Sequence, residues 1–296
     1  LYFENITADC YQSAVTVLGN GDAMNKKKRD SLYSIWSLLM ILSVLLVLFA
    51  LLFASFTKDY SKKTSAKGKT ETAATQTDAS QTDTAVKAIQ TSALLSETAD
   101  AGDTYIARMT FLSDVTTNGI KTYGLLADKE STTKVLSTAD GTVSLSGIAS
   151  VKLTVGDDTP SIADAVAAAK PDILVITLGE NGCAFMGQDY FTSEYTSLLT
   201  SIKTASPNTV IICSSILPVT KTYAAANNMD ANTIRTANNW IQQAAADNGC
   251  KYADTYSALA GDDGYLKSEY DSGSGLVPNS AGLLAMLSYL KTHAVQ

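Results

Sequence analysis

Two short stretches concentrate the side chains able to do chemistry. FLSDVTTNG, residues 111–119, sets the Ser113, Thr116 and Thr117 hydroxyls around the Asp114 carboxylate, and GENG, residues 179–182, sets Glu180 beside the Asn181 amide. Two carboxylates sharing a site can move protons or hold a cation, and a side-chain amide can donate to a developing negative charge. A hydroxyl attacks only when a base takes its proton. No base is evident in the sequence beside Thr116, whose side chain projects differently from that of position 115, and Ser113 fares no better. The expectation is that Asp114 and Glu180 lie near each other, that Asp114 accepts hydrogen bonds from the amides of its own loop, and that Glu180 is solvated. The one imidazole, His293, stands close to the C-terminus, where a solvated residue at a helix end is expected.

Strand ends must hold these loops in place. From Thr104 onward, short apolar runs alternate with helical stripes, the pattern of a parallel sheet covered on both faces. YIARMTFL reads as a first strand and TVSLSGIASVKLTV as a second extended region. DILVITLG, with an unbroken apolar run, reads as a central third strand, TVIICSSI as a fourth and CKYADTY as a fifth. TPSIADAVAAAKPD reads as a helix capped by Thr159, with Pro160 in its first turn and Ile162, Ala165, Val166 and Ala169 on one face. Phe191, Tyr195, Leu198, Leu199 and Ile202 form the stripe of the next helix; NTIRTANNWIQQAAADNG and SAGLLAMLSYLKTHA supply two more. In open sheets of this kind ligands sit beyond the carboxyl ends of the strands. Three loops therefore matter: SDVTTNG, GENGCAFMG and DSGSGLVPNS.

Ahead of this domain, residues 31–56 are almost wholly apolar, with no charge from Leu32 to Phe56. A helix of that length reaches roughly 37 Å, enough to span a bilayer. A signal peptide is the competing reading, but its apolar core is shorter, roughly 7–15 residues. The basic run KKKR at 26–29 is matched by lysines after the span, so charge does not orient it. The short leading tail, residues 1–30, is expected inside, with residues 1–23 an upstream extension, and the domain outside. Residues 57–103, rich in Ser, Thr, Ala, Lys and Gln, read as a linker with a reach on the order of 40 Å; residues 85–97 could close it with a short helix.

Composition narrows the partners. Hydrophobic residues at 46% and charged ones at 17% suit a chain that buries a core. Beyond Lys69 acidic residues outnumber basic ones, so no basic stripe exists to neutralise phosphates and nucleic acid is an unsuitable partner. Cys10, Cys183, Cys213 and Cys250 show no metal-ligand spacing, and with a single histidine neither a metal nor another cofactor is called for. Cys213 and Cys250 read as small buried hydrophobes, with a bridge between them as the alternative.

The three loops, in this order, resemble the sequence blocks of the SGNH/GDSL hydrolases, over roughly residues 104–296. The resemblance implies a flavodoxin-like α/β/α fold with a mainly parallel five-stranded sheet, and ester or acyl hydrolysis without a cofactor. FLSDVTTNG keeps Phe111, Asp114, Thr117 and Gly119 of the first block but has Ser113 for its glycine and Val115 for its nucleophilic serine. LGENG matches the third block, with Gly179 and, at the oxyanion-donor position, Asn181. SGLVPNSAG matches the last block, with Ser274 for the aspartate and Val277 for the histidine. Gly147 is the nearest candidate for the second-block glycine. KPDILVITLGENG, ASPNTVIICSSILPV and DDGYLKSEY also look like a clostridial-type branch of the family.

A serine, an imidazole and an aspartate act as one unit in such hydrolases. Valine at 115 has no lone pair with which to attack, and valine at 277 can take no proton. His293, about four helical turns further on, should point elsewhere. The expectation is a domain tethered outside a bacterial cell membrane whose chemistry has been lost while the fold is kept, a pseudoenzyme or inactivated variant. Its residual cleft, built from Asp114, Thr116, Gly179, Glu180 and Asn181, would bind a wall glycan, an acylated ligand or a protein. The alternative is an active esterase or deacetylase on acylated cell-surface carbohydrate; a third is a spacer whose cleft does nothing.

Overall fold

A computed structural model describes residues 92–127 and 131–296. The expected membrane span, the tail before it and most of the linker lie outside the described residues. Among those described, no helix is long and apolar enough to cross a membrane.

Five strands form the sheet: β1 (Met109–Ser113), β2 (Val135–Leu136), β3 (Ile173–Thr177), β4 (Val210–Ser214) and β5 (Lys251–Ala253), in the order β2-β1-β3-β4-β5. Every neighbouring pair runs parallel. Every residue of β1 and of β3 is buried, as expected for strands covered on both faces. That is why their sequences are continuous apolar runs rather than alternations. The strand order reverses between β1 and β3, the point at which an open parallel sheet leaves a crevice at its carboxyl end.

One face is covered by α4 (Ile162–Ala169), α6 (Gln188–Ala205) and α8 (Ala231–Asp247). Phe191, Tyr195, Leu198, Leu199 and Ile202 of α6 are all buried, as the stripe predicts. The other face is covered chiefly by α10 (Ser280–Lys291), which sinks Leu283, Met286, Leu287 and Leu290 into the second core cluster. Each such side chain contributes about 1.5–3 kcal/mol by leaving water. Shorter helices fill the connections: α1 (Asp103–Ile106), α2 (Gly119–Thr122), α3 (Ser131–Lys134), α5 (Glu180–Cys183), α7 (Lys221–Asn227) and α9 (Thr255–Leu259).

Several boundaries differ from those read in the sequence. Residues 142–155 are not a strand. Val143, Leu145, Ile148 and Leu153 are buried, but the backbone turns through Gly147 at φ 70° and a 3-10 turn, Ile148–Ser150. The apolar spacing reflects a loop pressed onto the core, and the second strand is the two-residue β2. In YIARMTFL, Tyr105 and Ile106 close α1, so the strand starts at Met109. The helix expected to start at Thr159 starts at Ile162, because the Ser161 hydroxyl accepts the Asp164 N–H at 3.1 Å and caps it. Ala169 is exposed rather than on the buried face. Packing reaches back beyond Thr104: Ala93 is buried, and the Leu95 N–H donates to the Tyr252 carbonyl at 2.8 Å, beside a parallel bridge from Leu94 to Tyr252. Cys183, Cys213 and Cys250 are buried free thiols.

Candidate functional site

The loop that follows β1 folds around Asp114. Its Oδ1 accepts the Thr116 N–H at 3.0 Å and the Thr116 hydroxyl at 2.6 Å, and the N–H groups of Thr117 and Glu180 also donate to its carboxylate. The expectation that Asp114 serves its own loop is met, and it binds the start of α5 as well. Even with these donors, burial dominates and pushes its pKa up to about 6. The Thr117 and Thr177 hydroxyls meet at 2.5 Å, and Thr177 donates on to the Leu112 carbonyl at 3.1 Å, tying the β1 loop to the end of β3.

The loop after β3 begins at Gly179, whose φ of 124° is a conformation L side chains rarely adopt. A Cβ there would lie 2.9 Å from Phe191 and 3.2 Å from Ile216, so this glycine serves both the turn and the packing beneath it. The turn leaves Glu180 buried rather than in solvent. Only 6% of Glu180 is exposed. Burial first, and then the Asp114 charge, raise its pKa to about 7. The expectation of a solvated Glu180 is thus corrected: a glycine in a mirror-image conformation reverses the direction in which the next side chain leaves the chain. Cys183 lies in the same environment, its thiol pushed up to about 12 by burial and then by Glu180.

Asn181 is placed at the start of α5, but its amide bridges the covering loop. Its Oδ1 faces the Leu145 N–H at 3.4 Å and its Nδ2 the Val143 carbonyl at 3.5 Å. Gly147 is exposed, with nothing within 4 Å of a Cβ built on it. The glycine of this region that presses on the β1 loop is Gly141, where a Cβ would stand 2.3 Å from the Asn118 amide nitrogen.

The third loop meets the first through α10 and α2: a Cβ on Gly119 would lie 2.6 Å from Leu283. Within it, Ser274 accepts the Val277 N–H at 2.8 Å and the Leu276 N–H at 3.2 Å, and shares a 3.1 Å hydroxyl contact with Ser272. The Ser274 side chain therefore shapes its own turn. Asn279 caps α10 by accepting the Gly282 N–H at 3.0 Å. The Gly275 carbonyl accepts the Thr220 N–H at 2.8 Å, and a Cβ on Gly275 would stand 2.9 Å from the Tyr223 Cβ. Tyr223, on α7, is thereby held against this loop, and burial followed by the Glu180 charge raises its pKa. The sequence reading missed it because α7 carries no motif; proximity came only with folding.

His293 lies past the end of α10, half-buried rather than solvated. Its Nδ1 sits 2.9 Å from the Tyr289 carbonyl, and its ring stacks on Tyr289 at 3.8 Å between centroids. Val115 is half-buried. Ser113 is fully buried with its hydroxyl unpartnered among the described residues. One hydroxyl does have a carboxylate in reach, contrary to the expectation for Thr116. The Asp114 contact is local, two residues back, as in many turns, and Thr116 is 3% exposed.

Comparison with known proteins gives a family. The model of the GDSL-like lipase/acylhydrolase family matches residues 123–283, from just after the β1 loop to the first turn of α10. No curated protein matches the chain. Among solved structures, a GDSL-like lipase from Bacteroides thetaiotaomicron is similar at 18% identity and a TM-score of 0.46, over 72% of this chain and 95% of that one. A catalytic mutant of an acetylxylan esterase from Geobacillus stearothermophilus is similar at 19% identity and a TM-score of 0.36, over 45% of this chain and 64% of that one.

Proposed function

The chain belongs to the GDSL-like lipase/acylhydrolase family, and on that premise we propose that it is a catalytically silent member, tethered to the outer face of a bacterial membrane by residues 31–56, that binds a ligand in the retained cleft. The observation that carries the reading is the fate of the triad positions. Val115 and Val277 are hydrocarbon, and Ser274 spends its hydroxyl on its own turn. His293 is engaged with Tyr289. Without a nucleophile and base acting together, turnover in triad hydrolases falls on the order of a millionfold. What remains, the backbone amides of the turn after β1, would suit weak docking of a carbonyl-bearing group on a cell-surface glycan or acylated molecule.

One contact favours the active-esterase alternative, the 2.6 Å hydrogen bond from Thr116 to Asp114. It is outweighed by access, since an attacking oxygen must reach the acyl carbon and Thr116 is enclosed. Hydrolysis of p-nitrophenyl acetate by the purified full chain distinguishes the two. The proposal expects the rate of buffer alone; turnover that disappears in Thr116→Val would establish the alternative.

A further inference from the structure

We propose that the groove at the β5 edge of the sheet, between one face of α8 and the segment from β5 to the turn at Gly264, binds an uncharged oligosaccharide. Asn232, Arg235, Thr236 and Asn239 line one side and Asp254 and Asp262 the other, around a cavity of about 630 Å³, within the roughly 300–1,000 Å³ typical of small-molecule sites. No residue of the loops after β1 and β3 lines it, and β4 stands between β5 and β3. Binding here is therefore independent of what the retained cleft does. Residues 232, 235, 236 and 239 fall on one face of α8 at helical spacing, beside the face whose Ile234, Ala237, Ile241 and Ala244 are buried. α8 contains neither lysine nor glutamate, the usual cover of a solvated helix face. Asparagine is among the weaker helix formers, so its use here does not serve the helix itself. Asn238 marks the contrast: it is buried, and its amide is engaged with the Ile216 N–H at 2.7 Å and the Ile216 carbonyl at 3.1 Å. Asn232, Thr236 and Asn239 make no side-chain hydrogen bond among the described residues. Arg235 lies against Gly264, at φ 80°, where a Cβ would stand 2.6 Å from its Nη1, and the Tyr256 hydroxyl fixes that turn by donating to the Gly264 carbonyl. Among the described residues Arg235 makes no ion pair.

The mixture of groups selects the ligand. The guanidinium only donates, the two carboxylates only accept and the amides do both; a sugar hydroxyl, which donates and accepts, satisfies each of them. An acyl chain would take the same groups out of water and leave them unpaired. A polyanion would meet two carboxylates against a single arginine, in a chain with 29 acidic and 22 basic residues. Among the described residues, no group of three or more His, Cys, Asp and Glu side chains could hold a metal ion, and two carboxylates are too few for a hard cation that takes six or more oxygens. Tyr252 and Tyr256, both buried, add aromatic carbon to the lining. They give it an apolar patch against which the C–H face of a sugar ring can leave water.

Calorimetric titration of the full chain, solubilised in a detergent without a sugar headgroup, tests this with cellotriose, maltotriose, triacetylchitotriose and the anionic trigalacturonic acid. At least one of the uncharged trisaccharides should bind, and at least about fivefold more tightly than trigalacturonic acid. Arg235→Ala and Asn239→Leu should each weaken that binding about tenfold, with thermal unfolding reporting that each variant is folded. Val115→Phe, in the turn after β1, should leave it unchanged. Binding by none of the uncharged trisaccharides, equal or tighter binding of trigalacturonic acid, or undiminished affinity in either groove variant would overturn the proposal. Loss in Val115→Phe with both groove variants unaffected would place the saccharide in the retained cleft, overturning the groove while supporting the cleft as a ligand site, so the two failures are distinguishable.

Discussion

Glu180 carries much of the electrostatic strain in the site, and its sign is open to measurement. Its folded pKa, about 7, lies above the ordinary 4.5, and that of Asp114, about 6, lies above 3.8. The native state therefore holds these protons to higher pH than the unfolded chain does. It follows that their contribution is most favourable below about 4 and is lost as pH rises toward 7. We expect denaturant unfolding to show stability falling across that window, with Glu180→Gln flattening part of the slope and gaining about 1–2 kcal/mol at pH 8. A Glu180→Gln variant less stable than the parent at pH 8 would mean that the carboxylate is already paired. Asp114→Asn should act oppositely in spite of its similar shift. The carboxylate collects several donors from two loops, and an amide cannot accept them all, so a loss of about 1–3 kcal/mol is expected in the same measurement.

The elements decide where those residues stand, and here particular glycines and amides matter. Gly179→Ala should destabilise by about 2–4 kcal/mol in thermal or chemical unfolding, combining strain at φ 124° with a clash against Phe191; a loss within about 0.5 kcal/mol would show that the turn relaxes. The parallel core was legible because it is written in runs, as in ILVIT and VIICS, and in the stripe from Phe191 to Ile202. Its edge was not. β2 is two residues long, too short for any pattern, while the loop over 142–155 imitates a strand by burying alternate side chains, its backbone making only isolated bridges outside the sheet. In the site, Asp114 was readable because its partners are local in sequence. The burial of Glu180 was not, since it depends on the mirror-image conformation of one preceding glycine, and Tyr223 was hidden because it comes against the third loop, at Gly275, from α7 and only with folding.

At the scale of the whole molecule, we propose that a hydrolase framework has exchanged reactive polar groups for apolar ones at positions 115 and 277. Such an exchange removes buried groups that need partners, which favours stability over turnover. The triple change Val115→Ser, Ser274→Asp and Val277→His should accordingly lower the melting temperature by several degrees in calorimetry, and a rise would count against it. The most direct test of chemical silence is intact-protein mass spectrometry after incubating the full chain with a serine-reactive fluorophosphonate. The account predicts an unchanged mass; a stoichiometric adduct, on Thr116 or any other hydroxyl, would contradict it.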